Sequence, residues 1–165
     1  MLNIHQYSEE LPAQFGVKAE QIRRVLGEEA AIEHVGSSAV GIGGKNIIDI
    51  LVGVKNIREA ADKLIAAGYF EGNDSHDDRI FLASRQEETQ AGDIHIHVCI
   101  KDSPVYCDFL TLRDYLRAYP EEAKAYEEHK HEFLEQAERD RKQYKKLKSA
   151  YVSALLERAR AATNK

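Results

Sequence analysis

Residues 31–54 read AIEHVGSSAVGIGGKNIIDILVGV, and the fold turns on them. Ala31–Val35 has the length and β-branched character of a short strand. Gly36, Gly41, Gly43 and Gly44 then fall within nine residues, which predicts a loop or strained turn over Gly36–Gly44. Ile47–Val54 is a near-continuous apolar run, as expected for a central strand covered on both faces. One carboxylate, Asp49, interrupts that run. Strand side chains alternate between faces, so Asp49 shares its face with Ile47, Leu51 and Gly53. A carboxylate in that setting is costly unless it is paired, hydrogen-bonded or metal-bound, so Asp49 reads as functional. Gly36-Ser37-Ser38 has two readings: an ordinary Gly-Ser turn, or a phosphate-binding turn in which glycine admits close approach and the serines donate hydrogen bonds.

Working outward, Ser8–Leu26 reads as an amphipathic helix stopped at Gly27. Asn56-Ile57-Arg58-Glu59 has capping-box spacing and opens a helix that runs to Ala67 and stops at Gly68. Arg79–Ala83 and Ile94–Ile100 read as an antiparallel strand pair joined by a polar loop. In Asp93-Ile94-His95-Ile96-His97-Val98-Cys99, alternation puts Asp93, His95, His97 and Cys99 on one face. Ile94, Ile96, Val98 and Ile100 take the other, which should meet helices. Two histidines at i and i+2 suit a metal or phosphate site, and equally a polar hairpin face. Beyond Ser103 the chain reads as helix throughout. Pro104 and Pro120 sit at first-helical positions, and Tyr144, Leu147, Tyr151, Val152, Leu155 and Leu156 form a final apolar stripe.

The chain has 165 residues, 43% hydrophobic and 31% charged, which suits one globular domain with a real core. There is no run of 18 apolar residues and no basic-then-apolar leader, so the expected location is cytoplasmic, with no membrane partner. Cys99 and Cys107 make neither a disulfide framework nor a C-x-x-C metal motif. The net charge of −5 argues against general nucleic-acid binding. The one basic run, Arg141–Lys148, reads as a solvated helix face.

Taken together, these motifs resemble the GrpB family of the nucleotidyltransferase (polymerase-beta-type) superfamily. The likeness is carried by Ile32–Val40 with Lys45 and Ile47–Ile50, by His95-Ile96-His97-Val98, and by Leu112–Pro120. Tyr144, Lys148, Tyr151 and Val152 complete it. The resemblance implies an α+β fold: a nucleotidyltransferase-like mixed β-sheet packed with helices, followed by a C-terminal helical extension. The expected division is a single domain over 1–165, with a core over 1–102 and the extension over 103–165.

In that superfamily a Gly-Ser turn precedes a strand carrying two acids one residue apart, and a later strand carries a third; the acids hold divalent metals. Carried over, Gly36 and Ser37 are the phosphate turn and Asp49 is the first acid. Leu51 occupies the second acid's place, and histidines stand where the third belongs. Gly41 and Asn46 replace expected prolines, implying a looser loop. The expected ligand is a nucleotide or phosphorylated small molecule, bound by Gly36, Ser37, Ser38, Lys45 and Arg79. Asp49, His95 and His97 are the candidate catalytic and metal-binding residues, with Mg²⁺ or Mn²⁺ as the metal and Zn²⁺ as the alternative. Three functions stay open: a nucleotidyl or phosphoryl transferase with a degenerate acid pair, a non-catalytic nucleotide- or phosphate-binding module, and a His/Asp transition-metal site.

Overall fold

The computed structural model describes residues 2–84 and 93–163. The chain runs α1 (Glu10–Leu26), β1 (Ala31–Val35), α2 (Gly36–Val40), β2 (Ile47–Val54), α3 (Ile57–Ala66), β3 (Phe70–Glu71), β4 (Arg79–Ala83) and β5 (Asp93–Ile100). Three helices follow: α4 (Pro104–Ala118), α5 (Pro120–Gln136) and α6 (Arg141–Thr163). The strands form one mixed sheet in the order β1-β2-β5-β4-β3. β2 and β5 are parallel, and the other pairs are antiparallel. The antiparallel β4–β5 pair is the one expected from sequence; its connection, 85–92, lies outside the described residues.

One face of the sheet carries Ile48, Ile50, Val52, Leu82, Ile96 and Val98, none of them exposed. Helices α1 and α3 cover it with Leu11, Ile22, Ala60, Ala61 and Leu64. Each such aliphatic side chain contributes roughly 1.5–3 kcal/mol on full burial, so this layer is the main source of stability. Asn56 caps α3 as its spacing predicts, its Oδ1 accepting from the Glu59 amide at 3.1 Å. Ile100 lies at the end of β5 and is 40% exposed, so the apolar alternation outruns the helical cover there.

The opposite face is also covered. Val35, Leu51 and Cys99 pack there against Tyr106 of α4. Gly53 is required by this packing, since a Cβ on it would meet Tyr106 Cε2 at 2.5 Å. Ile42, Leu116, Ala123, Tyr126 and Leu155 form a further cluster that ties α4, α5 and α6 to the loop before β2. None of the described helices is long and apolar enough to cross a membrane.

Two local features differ from the sequence reading. The stretch expected to be loop opens with a helical turn, α2, closed by the Gly41 amide donating to Ser37 O at 3.1 Å. β3, only two residues long, gave no pattern to detect; it pairs with Leu82 and Ala83 at the sheet edge.

Leu51 is fully buried, so restoring an acid there would place a carboxylate among Val35, Cys99 and Tyr106. We expect Leu51→Asp to cost about 3 kcal/mol or more in urea unfolding, because the position is fully buried and its neighbour on β5, His97, has its pKa lowered by burial. A loss below about 1 kcal/mol would contradict this packing.

Candidate functional site

A cavity of about 750 Å³ lies between the Asp49 face of the sheet and helices α4–α6. Its floor is set by register. Asp49 stands level with Val35 on β1 and His95 on β5, and Leu51 stands level with Glu33 and His97. Gly36, at the end of β1, has φ +75, and a Cβ there would collide with the Asp49 carboxylate. Glycine therefore allows the backbone turn to lie against the acid.

Asp49 Oδ1 is 3.6 Å from His95 Nδ1 and 3.5 Å from His97 Nε2, and its side chain is 28% exposed. Burial pushes this carboxyl's pKa up. The hydrogen bonds and charge of the two histidines outweigh that and hold it well below the usual carboxylate range. Asp49 is thus ionised across the neutral range.

The contacts of His97 favour one tautomer. Arg79 Nη1 is 3.5 Å from His97 Nδ1, and a guanidinium can only donate. Nδ1 is therefore the acceptor, and Nε2 carries the hydrogen toward Asp49. Burial pushes the imidazole's pKa below its ordinary value, against the pull of Asp49. Phe81 and Phe109 flank the ring at 5.5 and 4.7 Å between centroids.

This geometry bears on metal binding. Asp49, His95 and His97 do meet, as the sequence reading required. However, among the described residues no group of three or more His, Cys, Asp or Glu is arranged to hold a metal ion. For His97 to ligate a metal through Nε2, that atom would have to give up the hydrogen it directs at Asp49. The opposite tautomer would set Nδ1–H against Arg79. With Leu51 buried in place of a second acid, the donor set does not fit a two-metal centre.

The cavity's other wall is cationic. Arg141, Tyr144, Lys145, Lys148, Ser149, Val152 and Ser153 line it from α6 at i, i+3, i+4, i+7, i+8, i+11 and i+12, which is one helix face. Lys45 and Arg113 complete a set of five Lys and Arg against two acids, Asp49 and Asp74. Arg113 is neutralised by Glu33 and Asp114, at 2.7 and 2.8 Å. Lys145 pairs with Asp74. Lys45, Arg141 and Lys148 make no ion pair with a carboxylate among the described residues. Burial, with repulsion from Lys148 and Arg141, pushes the Lys45 ammonium down to about 8. The site is therefore short of negative charge.

Of the residues singled out from sequence, Gly36, Ser37, Lys45, Asp49, His95 and His97 line this one cavity. Two do not. Ser38 is 4% exposed and bonds His34 Nε2 at 2.9 Å, away from the cavity. Arg79 is held by Asp74, at 2.9 Å to its carbonyl and 3.1 Å to its carboxylate, and supports His97 from outside the cavity lining. In the basic run 141–148, expected to be a solvated face, Arg141 and Lys145 are exposed and Lys148 is half-buried, and these three also line the cavity. Their i, i+4, i+7 spacing was visible in the sequence; which way that face points was not. Lys130 was also missed, and no local signal marked it within a charged helix.

The buried histidines give a direct check. Burial pushes His34 down to about 4, and His97 is also lowered. Unfolded His34 therefore binds a proton between pH 6.5 and 4 that folded His34 does not, so stability should fall on acidification through that window. Histidine-resolved NMR titration should show both rings neutral at pH 6.5, with His97 in the Nε2–H form. A His97 midpoint above 6.5 would contradict the geometry.

Comparison with known proteins places this arrangement. The family model described as GrpB protein matches residues 1–158. A UPF0157 protein of Deinococcus radiodurans is 36% identical over 133 residues, spanning 79% of this chain and 68% of the relative. Glutamate-rich protein GrpB of Alkalihalophilus pseudofirmus is 28% identical, with 91% of each chain covered. The crystal structure of conserved protein GrpB from Enterococcus faecalis superposes with a TM-score of 0.83 at 24% identity, covering 99% of this chain and 100% of that one. Cid1 in complex with its short product ApU superposes with a TM-score of 0.52 at 15% identity, over 79% of this chain and 42% of that one. The mixed α/β fold is thus one shared with GrpB of Enterococcus faecalis and, more distantly, with Cid1, and the chain belongs to the GrpB family.

Proposed function

We propose that the cavity binds a nucleotide or another phosphorylated small molecule through its phosphates, and that this binding is the core activity of the protein. The observation that carries this reading is that Lys45, Arg141 and Lys148, none in an ion pair with a carboxylate among the described residues, line one cavity with the Gly36-Ser37 turn, where Asp49 alone is left to offset them. A polyphosphate supplies the missing charge and accepts hydrogen bonds from ammonium, guanidinium and hydroxyl donors alike. The fold-level likeness to Cid1, seen with the nucleotide product ApU, agrees with a nucleotide as ligand.

A second reading is transfer chemistry at Asp49, favoured by a carboxylate that faces the cavity and stays ionised. Asp49 would be the single protein carboxylate available to a Mg²⁺ or Mn²⁺ ion arriving with a nucleotide. The Zn²⁺ alternative needs His97 to surrender its Nε2 proton, and the Arg79 contact opposes that.

Calorimetry with ATP and with inorganic tripolyphosphate tests the binding. We expect saturable binding, weakened about tenfold or more by Lys45→Ala and by Lys148→Ala, since a charge-assisted hydrogen bond is worth about 1.5–3 kcal/mol. Asp49→Ala should retain binding. No heat and no thermal stabilisation with either probe would end the proposal. Incubation with labelled nucleoside triphosphates and Mg²⁺ or Mn²⁺ addresses the second reading. Equal signal from wild type and Asp49→Ala would remove Asp49 from any transfer.

The pH dependence has a defined sign. Free Lys45 loses its proton as pH rises through about 8, whereas bound phosphate holds the proton on. Tripolyphosphate affinity should therefore fall between pH 7 and 9.5, with proton uptake on binding near pH 8. Affinity that is flat or rising over that range would contradict the role of Lys45.

A further inference from the structure

Lys130 lies on α5, far in sequence from the glycine-rich loop and outside the cavity lining, yet it holds that loop. Its side chain is buried, at 1% exposure. Nζ donates to Ser37 Oγ at 2.9 Å and also to the Gly43 carbonyl oxygen. It stands 4.9 Å from the Tyr126 ring centroid. One turn earlier on α5, Glu127 Oε1 accepts from the Gly43 amide at 2.9 Å. Glu127 and Lys130 thus grip both polar groups of Gly43. From the other side, His5 exchanges two backbone hydrogen bonds with Gly44, at 2.6 and 2.9 Å.

An ammonium has three donors and no acceptor, so Ser37 Oγ must accept from Lys130. The hydroxyl has one proton, which is left to be given elsewhere. Ser37 lines the cavity, and a phosphate oxygen is acceptor only. We infer that Lys130 is a positioning residue: it clasps the Gly36–Gly44 loop to the helical extension and turns Ser37 into a dedicated hydrogen-bond donor to an anion in the cavity.

This rests on the phosphate-binding reading and adds to it a residue that never touches the ligand. Burying a lysine is costly, and an apolar side chain of similar length would fill the space more cheaply, so packing alone gives no reason for it. The charged groups facing Nζ are Lys148 from α6, which repels it, and Glu127 and Asp49, which attract it. Burial pushes the ammonium down to about 7. An anion bound against Ser37 would add attraction and keep it charged. The clasp also answers the absence of loop prolines at Gly41 and Asn46, because restraint comes from α5 and the N-terminal segment instead.

The test uses Lys130→Met, Ser37→Ala and their double variant in the full chain, with inorganic tripolyphosphate as the calorimetric probe. If Lys130 acts through Ser37, each single change weakens binding about tenfold and the double change weakens it little further. Multiplicative losses of about a hundredfold in the double variant, or wild-type affinity in Lys130→Met, would overturn the inference. Amide exchange in the ligand-free protein separates the clasp from the ligand. Gly43 and Gly44 should exchange faster in Lys130→Met while β2 and β5 amides stay unchanged; unaltered Gly43 and Gly44 exchange overturns the clasp. If the wild type binds no tripolyphosphate, the phosphate-binding reading falls and the donor role of Ser37 with it, while the exchange result still judges the clasp. Should Lys130→Met fail to fold, Ser37→Ala carries the test. Its Lys130 ammonium resonance must shift from that of the wild type, and an unshifted resonance overturns the contact.

Discussion

The carboxylate of Asp49 is the constraint around which this molecule is arranged. It sits on β2, an interior strand of a five-stranded sheet, whose other residues are almost all apolar. Keeping it ionised there requires the two histidines that β5 brings alongside through the parallel β2–β5 register. It also requires a glycine at position 36, because any side chain would strike the carboxylate. Arg79 acts one step further out, fixing the tautomer by which His97 can donate. The α4–α6 layer then closes over this face and brings a cationic wall to it. Sheet order, register and helical cover together create one anionic point inside a positive cavity.

Much of this was legible in the sequence because it depends on short-range periodicity. The alternation in residues 93–100 placed both histidines on one face, and the IIDILVGV run marked a central strand. Parallel pairing of β2 with β5 is nonlocal, but a strand buried on both faces made it a natural outcome. What sequence could not supply was direction. Ser37 and Ser38 are chemically equal in the sequence, yet adjacent helical residues project about 100° apart, so one faces the cavity and the other meets His34. Arg79 pairs with Cys99 on β5, and its guanidinium is taken up by Asp74 and the Nδ1 side of His97, so it stands behind the cavity-lining residues. The basic face of α6 was visible as a pattern, but only packing shows that its residues also line the cavity. Lys130 depends on a contact across 93 residues, for which no local signal exists.

The departures from the two-acid pattern expected from the sequence resemblance fit together physically. With Leu51 in place of the second acid, that strand position joins the apolar cluster under Tyr106. The cavity then holds Asp49 beside a glycine-serine turn and an array of cations, the arrangement on which the proposed phosphate binding rests. Because α6 and α5 supply most of those cations and the clasp on the turn, the helical extension is as much a part of the site as the sheet.

The most direct measurement of this account is a crystal structure of the protein soaked with ATP and Mn²⁺. The account predicts triphosphate density between Ser37, Lys45 and Lys148, with Ser37 Oγ within hydrogen-bond distance of a phosphate oxygen and Lys130 still bonded to Ser37. Phosphates bound elsewhere, or a saturated crystal in which Asp49, His95 and His97 jointly ligate manganese while the basic wall stays uncontacted, would contradict it.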